Sequence, residues 1–383
     1  MSKDTIVRKI MTEFAQLTGL ASEKSPRRYL WNDAFAVCNY LGLYRQSGKE
    51  RHKTLALALI DQVHQVLGRH RQDDPRTGWI SGLEEQKGQA HPTVGGLRIG
   101  KKHNERDPDA PYDPRHEWDR DGQYYHYLTK WMHALNRVGQ VTGDETYHRW
   151  AVALAQTAHE RFTYTPAGGG QKRMYWKMSI DLSRPLVPSM GQHDPLDGWI
   201  TYHELQANAS GDLDLEEEIS DMAQICQDRN WATDDPLGIG GLLTEAYRVG
   251  RLTTSSILQG SDLLRELLDA AALSLGAYAS QYTKKLPVAH RLAFRELGLS
   301  IGLHALQRLR TLLSDEAKAE RFDGAALLRS RVERLSPYLP LSEEIEAFWL
   351  GREHRASKSW IDHREINMVM LATSLAPDGY LET

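Results

Sequence analysis

Apolar residues recur at i, i+3, i+4 and i+7 along most of the chain, and no stretch sustains the alternation of a half-buried strand. The pattern predicts an all-α protein with two kinds of helix in alternation. One kind is amphipathic with a charged outward face: residues 4–17, 49–71, 145–162, 213–229, 261–281 and 315–335. The other kind spans residues 28–44, 121–142, 196–208, 237–250, 289–312 and 362–374. These segments are richer in aromatic and small residues and carry their charge mainly at the N-terminal turn. A helix apolar on most sides is one packed by neighbours all round. The alternation therefore predicts a closed ring of helical hairpins, with the second set inside. Gly143-Asp144 and Gly250 read as stops at the short connections. The other connections are long, at 72–116 and 163–192. Loops of more than about 15 residues in a compact domain are usually functional or disordered. Trp79, Tyr112, Tyr175 and Trp176 within these two argue for order.

Each inner segment opens on a polar, mostly acidic cluster with an aromatic nearby. The clusters are Trp31-Asn32-Asp33, Glu117-Trp118-Asp119-Arg120-Asp121, His193-Asp194-Pro195-Leu196-Asp197-Gly198-Trp199 and Thr233-Asp234-Asp235-Pro236. The last two are His290-Arg291 running on to Arg295-Glu296, and Trp360-Ile361-Asp362-His363-Arg364-Glu365. Inner helices that point the same way bring these heads to one concave end. Carboxylates, imidazoles and indoles gathered there suggest chemistry on a polar, ring-shaped substrate.

An aspartate at a helix head has an ordinary role as an N-cap, where it accepts from an orphan backbone N–H. Capping needs one such group, and the second cluster supplies Glu117, Asp119 and Asp121. Asp121 is therefore a catalytic candidate at even odds with capping. In the third cluster Pro195 marks a first helical turn and Asp194 is the natural cap, which leaves Asp197 free and makes it the strongest single candidate. Asp33 pairs with Arg27 or Arg28 or binds substrate. At most one of Asp234 and Asp235 faces the centre. Arg291 clamps a carboxylate of the substrate or neutralises the acidic ring, and His363 opens the sixth head. His126 and His133, deeper in the second inner segment, read as satisfied core histidines.

With 383 residues and a net charge of −4, the balance calls for neither nucleic acid nor an anionic membrane. No run approaches the ~20 apolar residues of a membrane span, and a cytoplasmic protein is expected. Cys38 and Cys226 read as buried free thiols. Gly95 to Lys102 imitates a phosphate loop but has Lys102 where Ser or Thr is needed and no strand before it. No metal-ligand spacing is present. The expectation is thus of no metal and no cofactor, and the sequence sets no oligomeric state.

The alternating heads, with the hairpin Leu135-Asn136-Arg137-Val138-Gly139-Gln140-Val141-Thr142-Gly143-Asp144-Glu145-Thr146-Tyr147, resemble the six-hairpin (α/α)6 superfamily of glycoside hydrolases, sugar epimerases and polysaccharide lyases. The resemblance implies a single (α/α)6 toroid over 1–383, with the active site in a funnel at the N-terminal ends of the inner helices, bordered by the two long loops. Asp197-Gly198-Trp199 is similar to the layout of the unsaturated-uronide hydrolases and related glycosidases of that group.

On this basis a glycoside hydrolase acting on a small oligosaccharide is expected. Asp121 and Asp197 form its carboxyl pair on helices whose axes lie about 8–10 Å apart, a spacing compatible with inversion. Trp31, Trp118, Tyr124, Trp176, Trp199 and Trp231 offer faces for pyranose rings, and Asp33, His193, Asp235, Arg291 and His363 offer polar contacts. A sugar epimerase with His193, His290 and His363 as bases is an alternative. So are a lyase with Tyr124 or His193 beside Arg291, and a non-catalytic carbohydrate-binding protein.

Overall fold

Helices form where the end signals are strongest. Asp144 accepts from the Thr146 N–H at the head of helix Glu145–Phe162, and Gly143 closes the preceding helix Tyr125–Thr142 in the left-handed conformation, φ 72°. Asp235 caps Pro236–Thr254 by accepting from the Leu237 N–H, with Pro236 at the first helical position. The computed structural model describes residues 2–209, 211, 213–281 and 286–382. They divide into two compact units, one built from Ala15–Gln227 and the other from the residues before Ala15 with Asp228–Glu382.

In the Ala15–Gln227 unit three helical hairpins follow one another: Leu30–Ser47 with Glu50–Leu67, Tyr125–Thr142 with Glu145–Phe162, and Asp194–Gln206 with Glu216–Cys226. The first helix of each pair is the more buried, and these three pack side by side in chain order. Tyr125 and Tyr202 bind them: the Tyr125 hydroxyl donates to the Tyr202 hydroxyl (2.9 Å), which donates to the Ala155 carbonyl (3.2 Å). Gly198 is required by this contact, because a β-carbon there would sit 2.1 Å from the Tyr125 oxygen. The long loops are ordered by short strands. Gln123–Tyr124 pairs antiparallel with Lys177–Met178, which pairs with Pro185–Val187, and Thr163–Tyr164 pairs with Arg173–Met174. Trp79 lies buried beneath the Arg69 guanidinium, 4.2 Å from its ring centre.

The other unit holds Pro236–Thr254, Ser261–Gln281, Ala293–Ser314, Ala325–Leu335, Leu341–Leu350 and Arg364–Leu375. Its polar centre is Glu346, buried, which accepts from Lys3 Nζ (2.8 Å) and Ser374 Oγ (2.9 Å) and meets His304 Nε2 at 2.7 Å. Lys3 opens the helix Lys3–Leu17, so this bond ties the N-terminal helix to the unit. Among the described residues no helix is long and apolar enough to cross a membrane.

Several boundaries differ from the sequence expectation. The second inner helix starts at Tyr125, not at 121, because Gly122 (φ 145°) and the Gln123–Tyr124 strand precede it. Gly250 lies inside Pro236–Thr254, where a β-carbon would meet Leu309 at 2.8 Å, so it is a packing glycine and not a stop. The segment 315–335 is interrupted: a left-handed Gly324 separates Glu316–Ala319 from Ala325–Leu335. Leu341–Leu350 was not anticipated as a helix of its own. Cys38 is buried, its thiol pushed up to about 12 by that burial, whereas Cys226 is only half-buried.

His64 sits wholly inside the first unit, where Trp131 Nε1 donates to its Nε2 (3.2 Å) and the Trp150 ring meets it edge-on. Burial pushes its imidazolium down from 6.5 to about 3. The unfolded chain therefore binds a proton below pH 6.5 that the folded chain refuses, and stability falls as pH falls through that window. At pH 5 this group alone costs about 2 kcal/mol. Urea melts at pH 7 and pH 5 should show a loss of that order, reduced in His64→Gln; an equal pH slope in the variant would remove the assignment.

Candidate active site

Leu30–Ser47, Tyr125–Thr142 and Asp194–Gln206 bring their N-terminal turns together inside the Ala15–Gln227 unit. Positions three and four apart share a helix face. On Tyr125–Thr142 that face presents His126, Thr129 and Lys130; on Asp194–Gln206 it presents Asp194 and Asp197. Thr129 Oγ1 donates to Asp197 Oδ2 (2.5 Å), and Lys130 Nζ donates to Asp197 Oδ1 (3.0 Å). Asp197 is thus a fixed carboxylate with both oxygens engaged.

Asp194 is the opposite case. It forms the first residue of its helix, preceded by His193 at the cap position, and makes no capping bond. It is buried, and its Oδ2 has no hydrogen-bond partner among the described residues. His126 Nδ1, equally without a partner, stands 3.7 Å from that oxygen. Asp194, expected as the cap, caps nothing, and Asp197, expected to be unengaged, is held by Thr129 and Lys130. A buried polar atom left unpaired costs about 1–3 kcal/mol, so such atoms mark places where something else supplies the bond. Trp31 Nε1, Asn32 Oδ1 and Trp199 Nε1 are in the same condition on the first and third of these helices. Two helical turns beyond His126, His133 Nδ1 faces Glu204 Oε2 at 3.7 Å.

Aromatic rings form a continuous wall over this spot. Trp31 meets His126 (ring centres 6.0 Å apart) and Tyr127 (5.3 Å). His126 stacks on Trp176 (6.3 Å, 22° between planes), and Tyr124 touches His126, Tyr127 and Trp176. Trp118 meets Trp176 edge-on (5.5 Å). Tyr29 and Tyr127 share a hydroxyl hydrogen bond of 2.8 Å. Burial raises the Tyr124 and Tyr127 phenols well above their ordinary value, so both stay protonated.

Asp121 lies elsewhere in the same unit and is sealed. It is inaccessible to solvent. Its Oδ2 accepts from Arg98 Nη1 (2.9 Å) and Arg71 Nη1 (3.2 Å), and its Oδ1 accepts from the Gly100 (2.9 Å) and Gly122 (3.1 Å) amides. The glycine-rich run that imitates a phosphate loop is the other half of this clamp. Asp33, also buried, pairs with Arg28 (3.4 Å) and accepts from the Tyr29 N–H (2.9 Å). His193 is half-buried, its carbonyl accepting from the Asp197 amide (3.0 Å), and Trp199 packs edge-on against His203.

Asp235, Arg291 and His363 belong to the other unit. Asp235 is a helix cap that also pairs with Arg295 (3.0 Å). Arg291 is buried, forks both oxygens of Glu296 (2.8 and 2.6 Å) and lies 3.6 Å over the Phe348 ring. His363 is exposed beside Phe294, and His290 is exposed in a single 3-10 turn. The sequence reading missed Asp194, His126, Lys130 and Thr129 as a set. Their i, i+3 and i, i+4 spacing was visible, but not that the two helix faces meet.

No protein-family model matches the sequence, and no curated protein does. Solved structures do resemble the chain. An inactive variant of the α-1,6-mannanase GH76A of Salegentibacter sp. HEL1_6, in complex with α-1,6-mannotetrose, is 12% identical over 98% of this chain and 99% of its own, with a TM-score of 0.58. A family 76 glycoside hydrolase from a bovine Bacteroides thetaiotaomicron strain is 12% identical over 100% of this chain and 78% of its own, with a TM-score of 0.53. A cellobiose 2-epimerase from Spirochaeta thermophila DSM 6192 is 11% identical over 96% and 97%, with a TM-score of 0.49. The first two likenesses show the fold. That fold is an all-α (α/α)6 arrangement, as the alternation of helices implied.

Removing the Asp121 charge leaves the Arg98 guanidinium without its carboxylate, while Arg71 keeps its fork to Asp73, and breaking such a buried pair costs about 3–5 kcal/mol. Asp121→Asn should therefore lower stability by several kcal/mol in a denaturant melt. An Asp121→Asn protein as stable as the wild type would contradict the bracing geometry.

Proposed function

We propose that the chain is a carbohydrate-active enzyme and, within that class, a glycoside hydrolase whose carboxyl pair is Asp194 and Asp197. The observation that carries the reading is the unpartnered Asp194 oxygen, buried below a wall of aromatic rings and flanked by a second carboxylate. Glycoside cleavage needs one carboxyl group to donate a proton to the leaving oxygen and another to stabilise or attack the anomeric carbon. Asp194, with no donor on Oδ2, suits the group that gains and loses a proton, and His126 is placed to exchange that proton with it. Asp197, held by Thr129 and Lys130, suits the fixed negative charge opposite the developing oxocarbenium ion.

Side chains three apart on one helix face have β-carbons roughly 5–6 Å apart, which favours the retaining geometry over the ~6.5–9.5 Å of inverting pairs. Asp121 braces the site in this reading and does not touch substrate. The unpaired Trp31, Trp199 and Asn32 atoms supply donors and an acceptor for sugar hydroxyls. The mannotetrose bound to the GH76A mannanase is consistent with a small carbohydrate as the ligand here. A cytoplasmic setting, where the enzyme would meet imported or partly degraded sugars, belongs to the same reading.

A sugar epimerase is the second reading. Two histidine–carboxylate pairs, His126 with Asp194 and His133 with Glu204, lie on one pair of helix faces, and epimerisation beside a carbonyl uses two bases. The lyase reading, with Tyr124 or His193 as base beside Arg291, has less support, because burial keeps Tyr124 a phenol and Arg291 forks Glu296.

A proton NMR time course against di- and trisaccharides, free hexoses and unsaturated uronides separates these. New reducing-end anomeric signals are expected, with Asp194→Asn folded and slower by roughly 10²–10⁴-fold. Conversion of a sugar without bond cleavage, with solvent deuterium entering next to the carbonyl, would replace the hydrolase by the epimerase. Full turnover by Asp194→Asn would end the role given to that residue.

A further inference from the structure

The ring contacts do not stop at the buried carboxylates. From Trp31, which is 8% exposed, the wall passes through His126 and Trp176 to Trp118, which is 51% exposed. Tyr112, on the same loop and 52% exposed, meets the Arg106 guanidinium. A single exposed aromatic needs no explanation. The backbone on both sides of Trp118, however, is pinned from beneath by one buried ammonium. Lys177 Nζ donates to the Glu117 carbonyl (2.9 Å), the Glu117 carboxylate (2.8 Å) and the Arg120 carbonyl (2.9 Å), while Arg106 Nε donates to the other Glu117 oxygen (3.2 Å). Burial lowers the affinity of Lys177 for its proton and Glu117 opposes that, so the ammonium depends on this carboxylate. The backbone that carries the indole is thus fixed, and the ring rests edge-on against Trp176, continuous with the wall that leads to Asp194. An aromatic face ordered in advance loses little freedom on binding.

We propose that Trp118 is an outer sugar-stacking position, so that the site takes an oligosaccharide spanning at least two sugar rings in preference to a free monosaccharide. The inference rests on the carbohydrate reading above. It specifies where the additional ring lies: on the Trp118 indole, at the open end of the aromatic series whose buried end is Trp31.

The test is calorimetric titration of the intact chain with mannose, mannobiose and mannotriose and with the glucose series of the same lengths. The quantity read is the ratio of the monosaccharide to the trisaccharide Kd. In the wild type it should be at least about tenfold, the factor that about 1.4 kcal/mol of stacking provides. In Trp118→Ala it should fall to within about twofold of unity, and in Trp118→Tyr most of it should return. Sugars that bind with no gain from length, or with a gain that Trp118→Ala leaves intact, would overturn the outer position and leave the carbohydrate reading standing. No binding of any sugar at any length by the wild type would overturn both.

Discussion

The architecture of the Ala15–Gln227 unit depends on one buried ionic clamp. Arg98 joins the Asp121 carboxylate to the Val66 and Arg69 carbonyls, where helix Glu50–Leu67 ends. Backbone bonds from the same segment reach the head of the next helix over, Leu30 donating to Ile99 and Ile99 to Gly122. A fully desolvated carboxylate is tolerable only when every lone pair is used. Two guanidinium groups and two glycine amides meet that demand here. The strand Gln123–Tyr124 follows directly, and with it the register that sets Tyr124, His126 and Trp176 against one another.

Elsewhere the same unit treats a second buried carboxylate quite differently. Asp121 and Asp197 have their oxygens satisfied by the protein, and Asp194 does not. Low local dielectric makes a satisfied polar group rigid and an unsatisfied one costly. That contrast separates carboxylates that hold the fold from the one to which the proposed chemistry is assigned. His126, Trp31 and Trp199 repeat the condition of Asp194 on neighbouring turns. A polyhydroxylated ligand, able both to donate and to accept at several points, is the chemistry that such a mixture of unpaired donors and acceptors fits.

Much of the fold was legible in the order of residues, because helical periodicity and end signals are local. Gly143-Asp144, Asp235-Pro236 and the alternation of one-faced with all-round apolar segments stand in the structure where the pattern put them. The errors arise where a local signal is overruled by a distant contact. Gly250 has the look of a helix stop, but whether a glycine ends a helix or admits a neighbouring side chain depends on Leu309, fifty-nine residues on. The second inner helix was begun four residues early because Asp121 imitates a cap; its actual partners, Arg71 and Arg98, come from the preceding loop.

For the site, the sequence determined the inventory: aspartates, histidines and aromatics at the helix heads, and long ordered loops beside them. Those residue types follow from spacing that any single helix displays. Which carboxylate is braced and which is left unpaired was decided only by tertiary structure. Thr129 and Lys130 must lie across from Asp197, and nothing in the chain between them announces that contact. Side-chain hydrogen bonds over such separations depend on how two helix faces meet, and that is a property of packing, absent from either helix alone.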